Sequence, residues 1–118
     1  MPTNRIEISV ELNEEKVPQS ISWSAQTGEE EKINRAKAMM LSFWDGEDRT
    51  TMRLDLWTEE MMVDEMTDFF YQTLVTMADT YKKSTHSEEQ AQDLSRFARQ
   101  FREKFLEKEK AAQGIAGK

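Results

Sequence analysis

The stretch from Val63 to Tyr81 constrains this chain more than any other. Advancing about 100° per residue from Phe70, the side chains of Val63, Met66, Phe70, Leu74, Met77 and Tyr81 fall within roughly 40° of one line. Asp64, Glu65, Asp68, Gln72, Thr76 and Asp79 fall on the far side, and Phe69 and Tyr71 widen the stripe. That spacing predicts a helix with one side pressed on a core. Asp64 and Glu65 stand in its first turn, and Lys82 and Lys83 at its end, as the helix dipole favours.

The segments before the helix have a different period. Arg5 to Leu12 alternates, with Ile6, Ile8, Val10 and Leu12 on one side, which predicts a half-buried strand. Asn13 to Pro18 reads as a turn, and Ser20 to Ala25 as a second strand carrying Ile21, Trp23 and Ala25 on one face. Gln26 to Asn34 reads as a break, with Gly28 and the Glu29-Glu30-Glu31-Lys32 charge run as a solvated loop or one helical turn.

Ala36 to Trp44 and Arg49 to Trp57 predict two more strands. A two-residue type II′ turn at Gly46-Glu47 would set Phe43 opposite Thr50, Leu41 opposite Met52 and Met39 opposite Leu54. After the long helix, Ser87-Glu88-Glu89-Gln90 matches a capping box opening a second helix to about Lys110. Its stripe is Leu94, Phe97, Ala98, Phe101 and Phe105, and Ala111 to Lys118 forms a flexible tail.

The expected fold class is α+β, a four-stranded antiparallel sheet followed by a two-helix hairpin packed on one face, in a single domain of residues 1–110. The expected core is Ile6, Ile8, Val10, Ile21, Trp23, Leu41, Phe43, Leu54, Leu56, Phe70, Leu74, Met77, Phe101 and Phe105.

Composition narrows the function classes. The chain has no cysteine, which removes disulfides and thiol chemistry, and its one histidine, His86, builds neither a zinc site nor a triad by itself. Net charge is −7, and residues 58–81 hold six acids with no Lys or Arg. That disfavours nucleic acid, whose phosphates need a basic surface. No apolar run approaches the roughly 20 residues of a membrane span, so membrane insertion is not expected. The opening MPTNRIEISV lacks an apolar signal core, so a cytoplasmic location is expected.

No catalytic motif is present: no Gly-rich phosphate loop, no metalloprotease His pair, no nucleophile elbow. Asp64 and Asp68 lie one turn apart, and surface carboxylates are the simpler account. No catalytic, cofactor-binding or metal residues are assigned. Met40, Trp44 and Trp57 are more informative, because strand parity sets them on the face opposite the expected core. Large apolar groups there mark an interaction face unless they pack on the back of the sheet or on the stems of Arg49 and Arg53. The sheet edges and this back face also admit a homo-oligomer.

The segments AKAMMLSFWD (36–45) and LDLWTEEMMVDEMTDFFYQTLVTMADTY (54–81) resemble the gliding-motility protein GldC family of Bacteroidota, and Ile21-Ser22-Trp23-Ser24-Ala25 fits the same pattern. The resemblance covers about residues 5–85. It implies a non-enzymatic accessory protein of the gliding machinery, without cofactors. It would act through contacts with other gliding or envelope proteins, the lipoprotein GldB among the machine's members, in the cytoplasm or at the inner face of the membrane. The layout alone is similar to the export chaperone SecB, which would make the chain a client binder with eight methionines as adaptable contacts.

Overall fold

A computed structural model describes residues 2–27 and 30–116, in two units, Met1–Met61 and Met62–Lys118. The first unit is all strand: β1 (Ile6–Leu12), β2 (Pro18–Thr27), β3 (Glu30–Ala36), β4 (Ala38–Asp45) and β5 (Thr50–Trp57). The second is a pair of helices, α1 (Val63–Thr85) and α2 (Glu88–Ala116). The class is α+β, but the single four-stranded sheet is replaced by an antiparallel three-stranded sheet, β1-β2-β3, and an antiparallel pair, β4-β5.

The β1–β2 hairpin forms as the alternation predicts. Ile6, Ile8 and Val10 stand opposite Ala25, Trp23 and Ile21. Asn13 builds the turn: its Oδ1 accepts from the N–H groups of Glu15 (2.8 Å) and Val17 (3.0 Å). Lys16 takes the left-handed backbone there, at φ 64°.

The segment expected as a break is instead β3, paired with β2 from Thr27–Glu30 to Ile21–Ala36. It escapes a hydrophobic scan because Lys32, Asn34 and Ala36 extend the apolar face while exposed Ile33 lies on the polar one. Backbone pairing to β2, not side-chain burial, defines this strand. Gly28 and Glu29 of the expected loop lie outside the described residues, and its remainder from Glu30 onward is strand. Lys37 alone separates β3 from β4, so the chain bends there from one sheet into the next.

The β4–β5 register also differs from expectation. Asp45 pairs with Thr50, and the loop is Gly46-Glu47-Asp48-Arg49. The Arg49 N–H donates to the Asp45 carbonyl (2.8 Å), and Asp45 Oδ1 accepts from the N–H of Glu47 (2.9 Å) and of Asp48 (3.3 Å). The left-handed residue is Arg49, at φ 55°, and not Gly46. The aspartate acceptor, not the glycine, sets the turn. Phe43 therefore faces Met52, Leu41 faces Leu54 and Met39 faces Leu56. The slip is by two residues, so every side chain keeps its expected face.

Helix α1 starts where expected. Met62 lies before it in extended backbone, and its N–H donates to Glu65 Oε1 (3.2 Å). His86 ends it in the left-handed region, its N–H donating to the Lys82 carbonyl at 2.8 Å. The capping box expected at Ser87–Gln90 is diverted: Gln90 Oε1 accepts from Tyr81 Oη (2.7 Å), and the Ser87 N–H donates to Thr85 Oγ1 (3.2 Å). Helix α2 continues past Lys110 to Ala116, so residues 111–116 of the expected tail are helical.

The two helices meet through small residues. Ala78, Ala91 and Ala98 are buried, with Leu74, Tyr81, Leu94 and Phe105 half-buried beside them. Phe70 and Phe101 stack at a centroid distance of 6.3 Å, and the Arg102 guanidinium lies 4.9 Å from the Tyr71 ring centroid. This seam lies on one flank of the α1 stripe. The middle of the stripe is open, with Val63 76%, Phe70 43% and Met77 49% exposed. Of the other expected core residues, Ile6, Ile8, Trp23, Phe43, Leu54 and Phe101 are also exposed; Ile21 is buried. That core presupposed one broad sheet, and the strands divide into two small ones instead.

Candidate interaction surface

The β4–β5 pair carries large apolar side chains on both faces. Antiparallel register puts Ala38, Met40, Ser42 and Trp44 of β4 on one face with Trp57, Asp55, Arg53 and Thr51 of β5. Met40, Trp44 and Trp57 thus share a face, as expected. They do not form one cluster. Trp44 stands opposite Thr51 at the turn end, Trp57 opposite Ala38 at the base, and half-buried Met40 opposite Asp55.

Between the tryptophans lies a polar network that composition did not single out. Arg53 Nε and Nη2 donate to the two carboxylate oxygens of Asp55, at 3.1 and 2.8 Å, and Arg53 Nη1 donates to Ser42 Oγ. The signal was available: Arg and Asp two apart on a strand project from the same face. Trp44 is 62% and Trp57 59% exposed. The Arg49 guanidinium lies 6.0 Å from the Trp44 ring centroid, at the outer limit of a cation–π contact, so it does not bury the indole. The opposite face presents Phe43, Met52 and Leu54, all exposed, with Met39, Leu41 and Leu56 half-buried.

The base of the pair is fixed by Thr58, which is buried. Its N–H (2.8 Å) and Oγ1 (2.9 Å) both donate to the Lys37 carbonyl. That clamp holds the strand ends together one residue beyond the Ala38–Trp57 pair.

In the helical unit, Asp79, Lys82, Lys83, His86 and Glu88 line an open hollow of about 450 Å³. Their charges are used locally: Lys83 Nζ meets Asp79 at 2.9 Å and Lys82 Nζ meets Glu88 at 3.0 Å. The hydrogen bond and charge of Asp79 raise the Lys83 ammonium above its ordinary value. Among the described residues, no group of three or more His, Cys, Asp or Glu side chains stands placed to hold a metal ion, Asp64 and Asp68 included. No described helix is long and apolar enough to cross a membrane.

The chain is thus of the α+β class, with a helical pair and a strand pair that carries exposed apolar side chains on both faces. A family model described as gliding motility-associated protein GldC-like matches residues 18–107, and the chain belongs to that family. The match begins at β2 and ends within α2, so it takes in the β4–β5 pair and the α1–α2 seam. No curated protein and no solved structure matches the chain.

Proposed function

We propose that this protein is a non-enzymatic accessory component of the gliding-motility machinery, working in the cytoplasm through protein–protein contacts, with the Met40–Trp44–Trp57 face as a contact surface. The carrying observation is the pair of exposed tryptophans on one face of a hairpin, in a chain of a gliding-motility family. Tryptophan is enriched where binding energy concentrates at interfaces, because it removes much apolar area from water on docking. The Ser42–Arg53–Asp55 network between them supplies hydrogen-bonding groups whose alignment would select a partner.

The test is complementation. In a gliding strain lacking the gene, the wild-type chain restores colony spreading, and a Trp44→Ala/Trp57→Ala chain at equal abundance does not. Unchanged spreading of the deletion strain would sink the motility role; full rescue by the double variant would sink the tryptophan face.

A second reading, a client-binding chaperone, is favoured by the opposite face, where exposed Phe43, Met52 and Leu54 offer an apolar strip. Suppressed aggregation of an unfolded reporter, lost on Phe43→Ser/Met52→Ser, supports it. No suppression at large molar excess removes it.

A further inference from the structure

A two-stranded sheet alone is marginal in water; independent stability needs a third strand or more, or packing against a helix. The β4–β5 pair has no third strand among the described residues. Its two edges differ. Every residue of β5 from Thr50 to Asp55 is exposed, whereas Ala38 to Leu41 of β4 are half-buried. Neither edge carries a third strand among the described residues, and β5 is the strand exposed along more of its length.

The backbone phase at that edge follows from the base clamp. The Thr58 N–H bonds the Lys37 carbonyl across the pair. Antiparallel ladders alternate bonded and non-bonded pairs. Met39–Leu56, Leu41–Leu54 and Phe43–Met52 are then the bonded pairs within the hairpin, and the N–H and C=O groups of Thr51, Arg53, Asp55 and Trp57 point outward, unpartnered by β4.

We infer that β5 pairs antiparallel with β5 of a second copy of this chain, with Leu54 on the twofold axis, giving a continuous sheet in the order β4-β5-β5-β4. Charge complementarity selects both occupant and register. With Leu54 opposite Leu54, Arg53 of each copy faces Asp55 of the other, Met52 faces Leu56, and Thr51 faces Trp57. Sliding by two residues one way sets Arg53 against Arg53; sliding the other way sets Asp55 against Asp55. Like charges directly opposite are destabilising, and opposite charges stabilise. A slip by one residue would set the Arg–Asp face of one copy against the leucine face of the other.

The chosen register also uses the outward backbone groups. Arg53 with Asp55 and Thr51 with Trp57 become the bonded pairs across the axis, so the N–H and C=O groups left open in one chain are satisfied in two. On the apolar face it aligns rows: Leu41, Leu54, Leu54 and Leu41 across the axis, with Phe43, Met52, Leu56 and Met39 beside them. On the other face, Trp44 of one copy and Trp57 of the second flank the same Thr51. Charged residues on an edge strand usually block pairing. Here their alternation permits one pairing and opposes its neighbours. This inference concerns the edge of β5 and does not rest on the tryptophan face serving a motility partner.

The test is sedimentation of the full-length chain, alone and in mixtures. Wild-type protein is expected as a dimer at micromolar concentrations. Arg53→Glu sets a carboxylate against Asp55 of the other copy, and Asp55→Arg sets a guanidinium against its Arg53. Each is expected to weaken the dimer about tenfold or more, the scale of ~1.4 kcal/mol. Mixing the two variants is expected to restore a one-to-one dimer. The introduced glutamate of one variant then meets the introduced arginine of the other, and the retained Asp55 meets the retained Arg53. Both variants lose the Arg53–Asp55 bond within their own strand, so its loss does not explain rescue on mixing. Circular dichroism of each variant establishes that it is folded. A monomeric wild type, a dimer indifferent to both substitutions, or a folded mixture that stays monomeric would each overturn the inference.

Discussion

The strand unit and the helical unit solve the same problem to different degrees. Each helix closes its backbone hydrogen bonds within itself, and α1 and α2 need only a narrow seam, which Ala78, Ala91 and Ala98 fill. The strands depend on neighbours for all their backbone groups, about half on each side, and the β4–β5 pair has no third strand among the described residues. The described strand unit buries only Ile21, Ser24 and Thr58. Both units leave apolar side chains exposed, but the helices satisfy their backbone internally, whereas the hairpin has no described strand on either outer edge.

Substitutions can break or sharpen that contrast. The largest effect is expected at Ile21, in the central strand of its sheet and 2% exposed. Ile21→Ala should cost about 2–5 kcal/mol. Hydrogen exchange should show the amides of β1–β3 losing protection before those of α1 and α2; equal loosening of the helices would contradict the contrast. Next is Ala98, fully buried in the helix seam. Ala98→Leu should cost about 1–3 kcal/mol by overpacking and lower the thermal midpoint of the helical signal. No shift would mean the seam is loose.

A smaller effect is expected at Thr58. Thr58→Val removes the hydroxyl bond to the Lys37 carbonyl while the N–H bond remains, a loss of about 1 kcal/mol. The amides of β4 and β5 should fray from the base, with the Asp45 turn unaffected. The smallest effect belongs to Lys83, whose partner Asp79 raises its pKa above 10.5 in the folded chain. A raised value means that the stabilisation is full below the unfolded pKa and is lost as pH rises through the folded one. Asp79→Asn should therefore leave the chain unchanged in strongly alkaline solution and act weakly below it, since the pair is solvent-exposed. A pH-independent loss would assign Asp79 another role.

The two units were also unequally legible. The stripe of α1 was read with its end charges because a 3.6-residue period over many turns is a strong signal. Which flank of the stripe would be covered was not legible: Ala78, Ala91 and Ala98 are small, and small residues carry little hydrophobic signal. β3 is not legible in the sequence, because Lys32 and Asn34 look like solvated chain and only pairing with β2 makes them strand. The β4–β5 faces were legible from parity, and Met40, Trp44 and Trp57 do share one. The register was not, because a shift of two preserves parity. Its determinant is Asp45 accepting from Glu47 and Asp48, which outweighed the glycine.

Residue-resolved hydrogen exchange along β5, measured at low and high protein concentration, tests the central claim most directly. Leu54 and Leu56 amides should be protected at both, because their ladder bonds run to β4. Arg53 and Asp55 amides should exchange freely in dilute protein and gain protection as concentration rises. If those two amides exchange freely at every concentration while Leu54 and Leu56 stay protected, the hairpin edge is not where this chain meets another copy.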